Sequence, residues 1–450
     1  MGMRVTIVGL GRSGMAMVPW LKRRGARVSV SDSRPAYEFA RWLETERASV
    51  ERAEFGGNSS DLLAQSDLVV VSPGVPPSTP ALAEAARRGI PVVGDFEVAL
   101  AECPARIAAV TGTNGKTTTT ALLGHLLRTG GKKAVVAGNI GEPVAQVVDA
   151  LTPEHFLVLE ASSFQLDTAP SFHPSVALLL NITPDHQDRY RSMPAYIAAK
   201  ARIFANQGPA DLAILNRHDE YCARMAPAIR ARVRWFDSLG ADADGAGTRD
   251  GWVVLGEGGT QTRLLPSAEI SIRGGHNLEN ALAAALAAAA LGVFPEALAE
   301  GLRSFPGVPH RLEPVGRIGD VEFVNDSKGT NTDATMKALL SFPEPVVLIA
   351  GGRDKGQDFA PMAGMVRERV KAAVLIGEAA EKMEKAWGGG IPTHRASSME
   401  EAVRTGLELA GPRGVVLLSP ACASFDMFRD FEHRGEVFRA AVAALSRGGK

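Results

Sequence analysis

The sequence predicts an α/β protein of three domains, each built around a largely parallel sheet. Three observations carry this. Short apolar β runs alternate with helical patterns along most of the chain, the order left by strands joined through crossover helices. Glycine-rich and polar clusters recur where the β runs end, which is where open α/β sheets bind ligands. A stiff stretch at residues 303–314, RSFPGVPHRLEP, interrupts the alternation and marks a boundary. Domains are therefore expected at 1–98, 99–303 and 304–450.

Composition narrows the function classes. At 450 residues, 45% apolar and 22% charged, the chain reads as a soluble globular protein. A formal net charge of −1 argues against nucleic acid as the main partner. The three cysteines, Cys103, Cys222 and Cys422, lack C-x-x-C spacing. They suit neither a disulfide framework nor a zinc site, and fit a reducing cytoplasm. The opening MGMRVTIVGLG enters a strand with no signal-peptide pattern, and the Ala-rich run at 281–291 is too short to span a bilayer. A cytoplasmic protein without a membrane partner is expected.

In the first domain, strands are expected at 5–9, 28–32, 68–72 and 92–93, with a helix at 15–24. The first turn, Gly9-Leu-Gly11-Arg-Ser-Gly14, is followed by Asp32 at the next strand end. Glycines for a tight turn and an acid for a ribose make a dinucleotide fingerprint, so this domain reads as Rossmann-like. An NAD-dependent oxidoreductase is one reading of it. The same turn serves any ligand carrying a pyrophosphate. A second loop, Ser72-Pro-Gly74-Val-Pro-Pro77, follows a strand and reads either as another phosphate-facing loop or as a plain turn.

The second domain opens on AAVTGTNGKTTTTA at 108–121. An apolar strand, a glycine turn, Lys116-Thr117 and a helical pattern follow in P-loop order. The turn directs backbone N–H groups at phosphate, the helix start favours the anion, and Thr117 can reach magnesium. The first glycine of the full P-loop form is replaced by Val110. A tight turn at 138–141 carries Asn139. The strand at 156–159 ends in Glu160, an acid placed for a metal, with Ser162, Ser163 and Gln165 close behind. The strand at 176–181 leads into NITPDHQDRY, where His186 stands between two aspartates and suits a phosphate or metal role. A helix at 194–205 carries Lys200, which by pattern alone is a surface lysine with a buried stem. Residues 240–251 read as a flexible acidic loop. Strands are expected near 252–255 and 263–272. Asn277 and Asn280 then share one face at the start of an Ala-rich helix, as base readers or as caps. In the third domain, strands at 323–325, 346–350, 374–377 and 415–418 end in polar clusters, where open α/β sheets bind ligands.

Taken together these motifs resemble the Mur ligase family along the whole chain. The carriers are GLGRSG, SPG, GTNGKTT, GNIG, EASSFQL, NITPDHQDRY, YIAAKARIF, GGHNLENALAA, PGVPHRLE, NDSKGTN, GGRDKG and SPACASFDMF, in family order. The shortened P-loop is itself a family trait. The resemblance implies a UDP-binding N-terminal domain, a central P-loop ATPase-like domain and a C-terminal Rossmann-like domain for the incoming amino acid. It implies an ATP-dependent ligase of the branch that adds D-glutamate to UDP-N-acetylmuramoyl-L-alanine through an acyl phosphate, in cytoplasmic peptidoglycan precursor synthesis. ATP, Mg2+ and a carbamylated Lys200 are the implied cofactors, and a monomer is expected.

Residue roles follow from the same resemblance. Lys116, Glu160, His186 and Lys200 are the implied catalytic set, with Thr117, Glu160, His186 and carbamylated Lys200 toward metal. Gly112, Thr113, Asn114, Gly115, Lys116, Thr117, Thr118, Asn277, Asn280, Arg311 and Asp326 would serve ATP. Ser13, Asp32, Arg34, Gly74, Asn139, Ser162, Gln165 and His186 would hold the UDP substrate. Thr330, Lys355, Ser424 and Phe431 would hold D-glutamate. Closure about the 303–312 connector is expected to bring the groups together.

Overall fold

The computed structural model describes residues 2–186, 189–240, 243–354, 356–387 and 389–448. It divides into two compact units, Met1–Ile270 with Glu279–Arg303, and Ser271–Leu278 with Ser304–Lys450.

The first unit contains two sheets. One is five-stranded and parallel, ordered β3-β2-β1-β4-β5, from β1 (Arg4–Val8), β2 (Arg27–Asp32), β3 (Arg52–Phe55), β4 (Leu68–Val71) and β5 (Val92–Gly94). The other has nine strands: β6 (Arg106–Thr111), β7 (Lys133–Gly138), β8 (His155–Glu160), β9 (Val176–Leu179), β10 (Leu212–Asn216), β11 (Arg232–Asp237), β12 (Gly245–Arg249), β13 (Trp252–Glu257) and β14 (Thr260–Pro266). Their order is β14-β13-β12-β11-β10-β9-β6-β8-β7. Pairing is parallel from β7 to β12 and antiparallel through β13 and β14. Strands such as VALL in β9 and LAILN in β10 are buried along their whole length. They are covered on both faces, hence continuous apolar runs rather than alternation.

The two sheets of this unit share one apolar core, in which Trp20, Phe96, Phe172 and Leu166 are buried. A polar seam reinforces it. Trp20 Nε1 donates to Asp149 at 3.1 Å, and Arg24 stacks on the Trp20 ring while pairing with both Asp149 and Glu102. These exposed pairs fix orientation more than they add stability.

The second unit holds a six-stranded sheet ordered β15-β16-β20-β17-β18-β19. Its strands are β15 (Glu313–Ile318), β16 (Asp320–Asn325), β17 (Val346–Gly351), β18 (Val370–Ile376), β19 (Thr393–Arg395) and β20 (Arg413–Leu418). Only β15 is antiparallel to its neighbour. Apolar clusters cover both faces of the sheet.

The α/β class and the three parallel-rich sheets match the sequence expectation. Several details do not. Residues 240–251 are not simply a loop, because Gly245–Arg249 forms β12, with Gly245, Ala246 and Gly247 buried. The strand pairs with β11 on one side and β13 on the other. Its glycine-rich, acidic setting imitates a turn. The strand expected at 263–272 is β14, which ends at Pro266 and gives way to a short 3-10 turn, Ser267–Glu269. The helix expected at 194–205 is α-helical over Met193–Ala201 and then tightens to a 3-10 turn, Arg202–Phe204.

Candidate active site

The loop expected to bind nucleotide leaves β6 at Thr111. Gly112 (φ +154°) and Gly115 (φ +83°) take backbone conformations that favour glycine. At Gly115 space is closed as well, since a Cβ there would lie 2.2 Å from Asn280 Oδ1. The helix Lys116–Thr129 starts directly after it. Asn181 Oδ1 accepts the Asn114 N–H at 2.8 Å, and its amide donates to Asn114 O at 3.2 Å. Thr119 Oγ1 reaches Asn280 Oδ1 at 3.2 Å, which places Asn280 against this helix. Thr113, Thr117 and Thr118 are buried.

Two lysines converge on this loop. Lys116 Nζ folds back to Gly112 O (2.9 Å) and Thr113 O (2.8 Å). Lys200 Nζ donates to the same Gly112 carbonyl at 2.7 Å. Lys200 is 1% exposed, so it is not the surface residue its pattern suggests. Burial, with the charge of Lys116 beside it, lowers its pKa to about 7, against the opposing pull of Asp185 and Glu160. Its ammonium also lies 4.7 Å from the centre of the Tyr196 ring, and the Tyr196 hydroxyl meets Thr113 Oγ1 at 3.2 Å. Tyr196 was not singled out by sequence, although its i, i+4 spacing to Lys200 on one helix face is the signal that finds it.

Glu160 ends β8, 1% exposed. Asn139 is tied to it twice, by N–H to Glu160 O at 3.0 Å and by amide to Oε1 at 2.6 Å. The other carboxylate oxygen, Oε2, is buried without a hydrogen-bond partner. A buried orphan carboxylate oxygen is costly unless a cation completes it, so this residue fits a hard divalent ion. His186 adopts φ +52°, packs on Phe164 with ring centroids 4.8 Å apart, and lies 3.6 Å from Asp185. Among the described residues no three His, Cys, Asp or Glu side chains cluster as a metal cage. Gln187 and Asp188, in the same motif, lie outside the described residues.

Around β1 and β2, Asp32 closes the glycine turn. Its carboxylate accepts Leu10 N–H at 2.7 Å and Arg34 N–H at 2.9 Å, and pairs with the Arg34 guanidinium at 2.9 Å. Burial raises the Asp32 pKa, but Arg34 and the two N–H groups outweigh it and hold the carboxyl below its usual range. Ser72 Oγ donates to Gly9 O at 2.7 Å, tying the two loops together. Ser13 lines a small cavity with Asp95, Gly138 and Gln165. Asp95 is 2% exposed and accepts Phe96 N–H at 2.6 Å. Burial pushes its carboxyl up to about 6, with Ser13 and Ser72 pulling the other way. Ser162 and Gln165 form a reciprocal cap on the helix Ser163–Asp167.

The second unit gathers its own set. Asp326, 8% exposed, accepts Ser419 Oγ at 2.7 Å and Leu312 N–H at 3.3 Å. Burial raises it to about 7, opposed by those bonds and by the charge of Arg311. Asn277 donates to Arg273 O at 2.7 Å. Thr330 follows the turn closed by Gly329 N–H to Asp326 O, and Ser424 is buried. Phe431 begins the last helix, its ring 6.1 Å from that of His310. The fully buried Arg434, missed by sequence reading, binds Ser327 Oγ, Ser327 O and Cys422 O at 2.7–3.0 Å. It ties the Thr330 loop to the Ser424 loop. Lys355 lies outside the described residues.

Three family descriptions match the chain: "Mur ligase MurD-like, N-terminal domain" at 3–94, "Mur ligase middle domain" at 110–288, and "Mur ligase, glutamate ligase domain" at 310–422. A protein of Pelotomaculum thermopropionicum named UDP-N-acetylmuramoylalanine–D-glutamate ligase is 44% identical over 99% of this chain and 98% of its own. A relative of the same name from Salinibacter ruber is 45% identical over 98% of each chain. Among solved structures, a UDP-N-acetylmuramate-alanine ligase from Thermotoga maritima superposes with TM-score 0.61 at 19% identity, covering 100% of both chains, a likeness of fold.

Proposed function

The chain belongs to the Mur ligase family, and we propose that it joins D-glutamate to UDP-N-acetylmuramoyl-L-alanine at the expense of ATP, in cytoplasmic peptidoglycan synthesis. Full-length similarity to relatives of that name supports the substrate pair. It also displaces the oxidoreductase reading of residues 9–32. The observation that carries the chemistry is the pair of lysine ammonium groups on the Gly112 carbonyl, beside a P-loop and a buried acid.

A carboxylate is a poor electrophile and must be activated. The L-alanine carboxylate oxygen attacks the γ-phosphorus, the bond to the bridging oxygen breaks, and ADP leaves. The D-glutamate amine then attacks the acyl phosphate. The carbon–oxygen bond to phosphate breaks, the amine loses a proton, and phosphate departs. Lys116 and the start of its helix stabilise charge on the transferred group. Asn280 serves the nucleotide from the Ala-rich helix, and Asn277, Arg311 and Asp326 are proposed for ATP by the same family pattern. Thr117 and Glu160 hold Mg2+, which when bound neutralises phosphate charge. His186 serves the acyl end. Lys200, with a pKa of about 7, offers a neutral amine near neutral pH. That amine can add carbon dioxide and release a proton, giving the carbamate.

Ser13, Asp32, Arg34, Gly74, Asn139, Ser162 and Gln165 hold the UDP substrate. Thr330, Lys355, Ser424 and Phe431 hold D-glutamate. The domains run 1–98, 99–303 and 304–450, and the working unit is a monomer. Among the described residues no helix is long and apolar enough to cross a membrane.

A phosphate-release assay with ATP, Mg2+ and UDP-N-acetylmuramoyl-L-alanine tests the reading. D-glutamate should drive release; equal release with L-glutamate or diaminopimelate would overturn the assignment.

A further inference from the structure

Arg189 connects two segments of the first unit that serve different parts of the proposed reaction. Its guanidinium donates from Nη1 to Pro73 O at 3.0 Å and from Nη2 to Val75 O at 3.4 Å. The two acceptors flank Gly74, assigned above to the UDP substrate. The same guanidinium lies over the Phe164 ring at 4.2 Å, and the Phe164 ring also packs on His186, with centroids 4.8 Å apart. The neighbouring Tyr190, 8% exposed, anchors the loop by donating to Asp167 at 2.7 Å and packing on Tyr196 at 5.2 Å. On the other side, Val75 N–H closes a turn to Ser72 O at 3.0 Å, and Ser72 Oγ binds Gly9 O at 2.7 Å. One continuous chain of contacts thus runs from the Gly9 turn through Ser72, the Gly74 turn, Arg189 and Phe164 to His186.

We propose that Arg189 is a positioning residue. It locks the turn carrying Gly74 to the loop carrying His186, so that the UDP moiety and the carboxylate to be activated are held in one register. The planar fork suits this task. It binds two carbonyls at once while stacking on an aromatic face, which a lysine ammonium cannot do. The Arg189 side-chain partners are Pro73, Val75 and Phe164, none of them in the nucleotide loop, so ATP binding should feel its loss less than binding of the UDP substrate.

The proposal rests on the functional reading above. Its test is steady-state kinetics of Arg189→Lys and Arg189→Met with UDP-N-acetylmuramoyl-L-alanine varied at saturating ATP, then the reverse, alongside thermal melts. The expected result is a KM for the UDP substrate raised about tenfold or more and a lowered kcat. The KM for ATP should stay within about twofold, because Arg189 meets the nucleotide loop only indirectly, through Tyr190 and Tyr196, with melting unchanged. The lysine variant, which keeps charge and bulk, carries the test if the methionine variant fails to fold. Arg189→Lys indistinguishable from wild type overturns the proposal. So does a uniform loss that includes ATP and comes with a lower melting temperature, the mark of a merely structural role. Wild-type protein that fails to turn over the UDP substrate overturns the functional reading, and the coupling with it; wild-type turnover with an unaltered lysine variant overturns the coupling alone.

Discussion

Lys116 and Lys200 donate to one acceptor, the Gly112 carbonyl, at 2.9 and 2.7 Å. Two cations held on one oxygen disfavour each other's charge, and burial makes Lys200 the one that yields.

Replacing Lys116 by Met should therefore raise the pKa of Lys200 from about 7. Burial remains, so the rise should be modest, about one unit or less. Carbamate forms from the neutral amine only, so the pH at which the carbon-dioxide adduct reaches half its maximum should move upward. Mass spectrometry across a pH series in bicarbonate checks this. An unshifted midpoint would remove Lys116 from the cause, and an adduct that survives Lys200→Ala would place the carbamate elsewhere.

Lys116→Ala should also cost turnover by about 10²–10³-fold or more, the scale of losing one main stabiliser of transition-state charge. Phosphate release under single-turnover conditions measures it, free of product-release effects. Near-normal turnover would refute the role.

Asn139 holds Glu160 by both backbone and side chain. If Glu160 carries Mg2+, Asn139→Ala should raise the Mg2+ concentration for half-maximal activity by about 10–100-fold, the usual penalty for losing a residue that orients a metal ligand. A variant that changes only the KM for the UDP substrate would restrict Asn139 to substrate binding.

Asp95 makes a pH prediction. Its folded carboxyl titrates at about 6 instead of 3.8. Between those values the folded chain binds the extra proton, so wild-type stability falls as pH rises through this window and stays lower above it. Asp95→Asn keeps an acceptor for Phe96 N–H and does not titrate. Its stability relative to wild type should be lowest below the ordinary carboxyl value of 3.8 and grow to a plateau above about pH 7, by at most about 3 kcal/mol. Denaturant melts at both ends of the range test this. A constant difference would show that burial does not perturb the group.

Much of the fold was legible because parallel strands covered on both faces leave unmistakable apolar runs, as at β9 and β17. β12 was not, because its Gly-Ala-Gly start carries no hydrophobic signal and pairs through backbone alone. The strand, glycine turn and helix at 108–121 were readable from residue spacing, since that geometry lies in the local backbone. The surroundings of Lys200 were not. Its burial depends on Gly112 and Tyr196, and only the folded chain unites Gly112 with a helix so far along the sequence. Arg434 escaped notice for the same reason: a single arginine in a helix start gives no hint that it binds two distant loops.

The closed space between Gly115 and Asn280 Oδ1 has an evolutionary consequence. The two positions cannot be sampled as independent trials. A side chain at 115 is excluded while the amide stands where it does, and moving the amide releases Thr119 from its bond. Lineages that move the amide should still keep glycine at 115, because its φ of +83° disfavours any side chain, and a directed library at 115 should return the parent glycine.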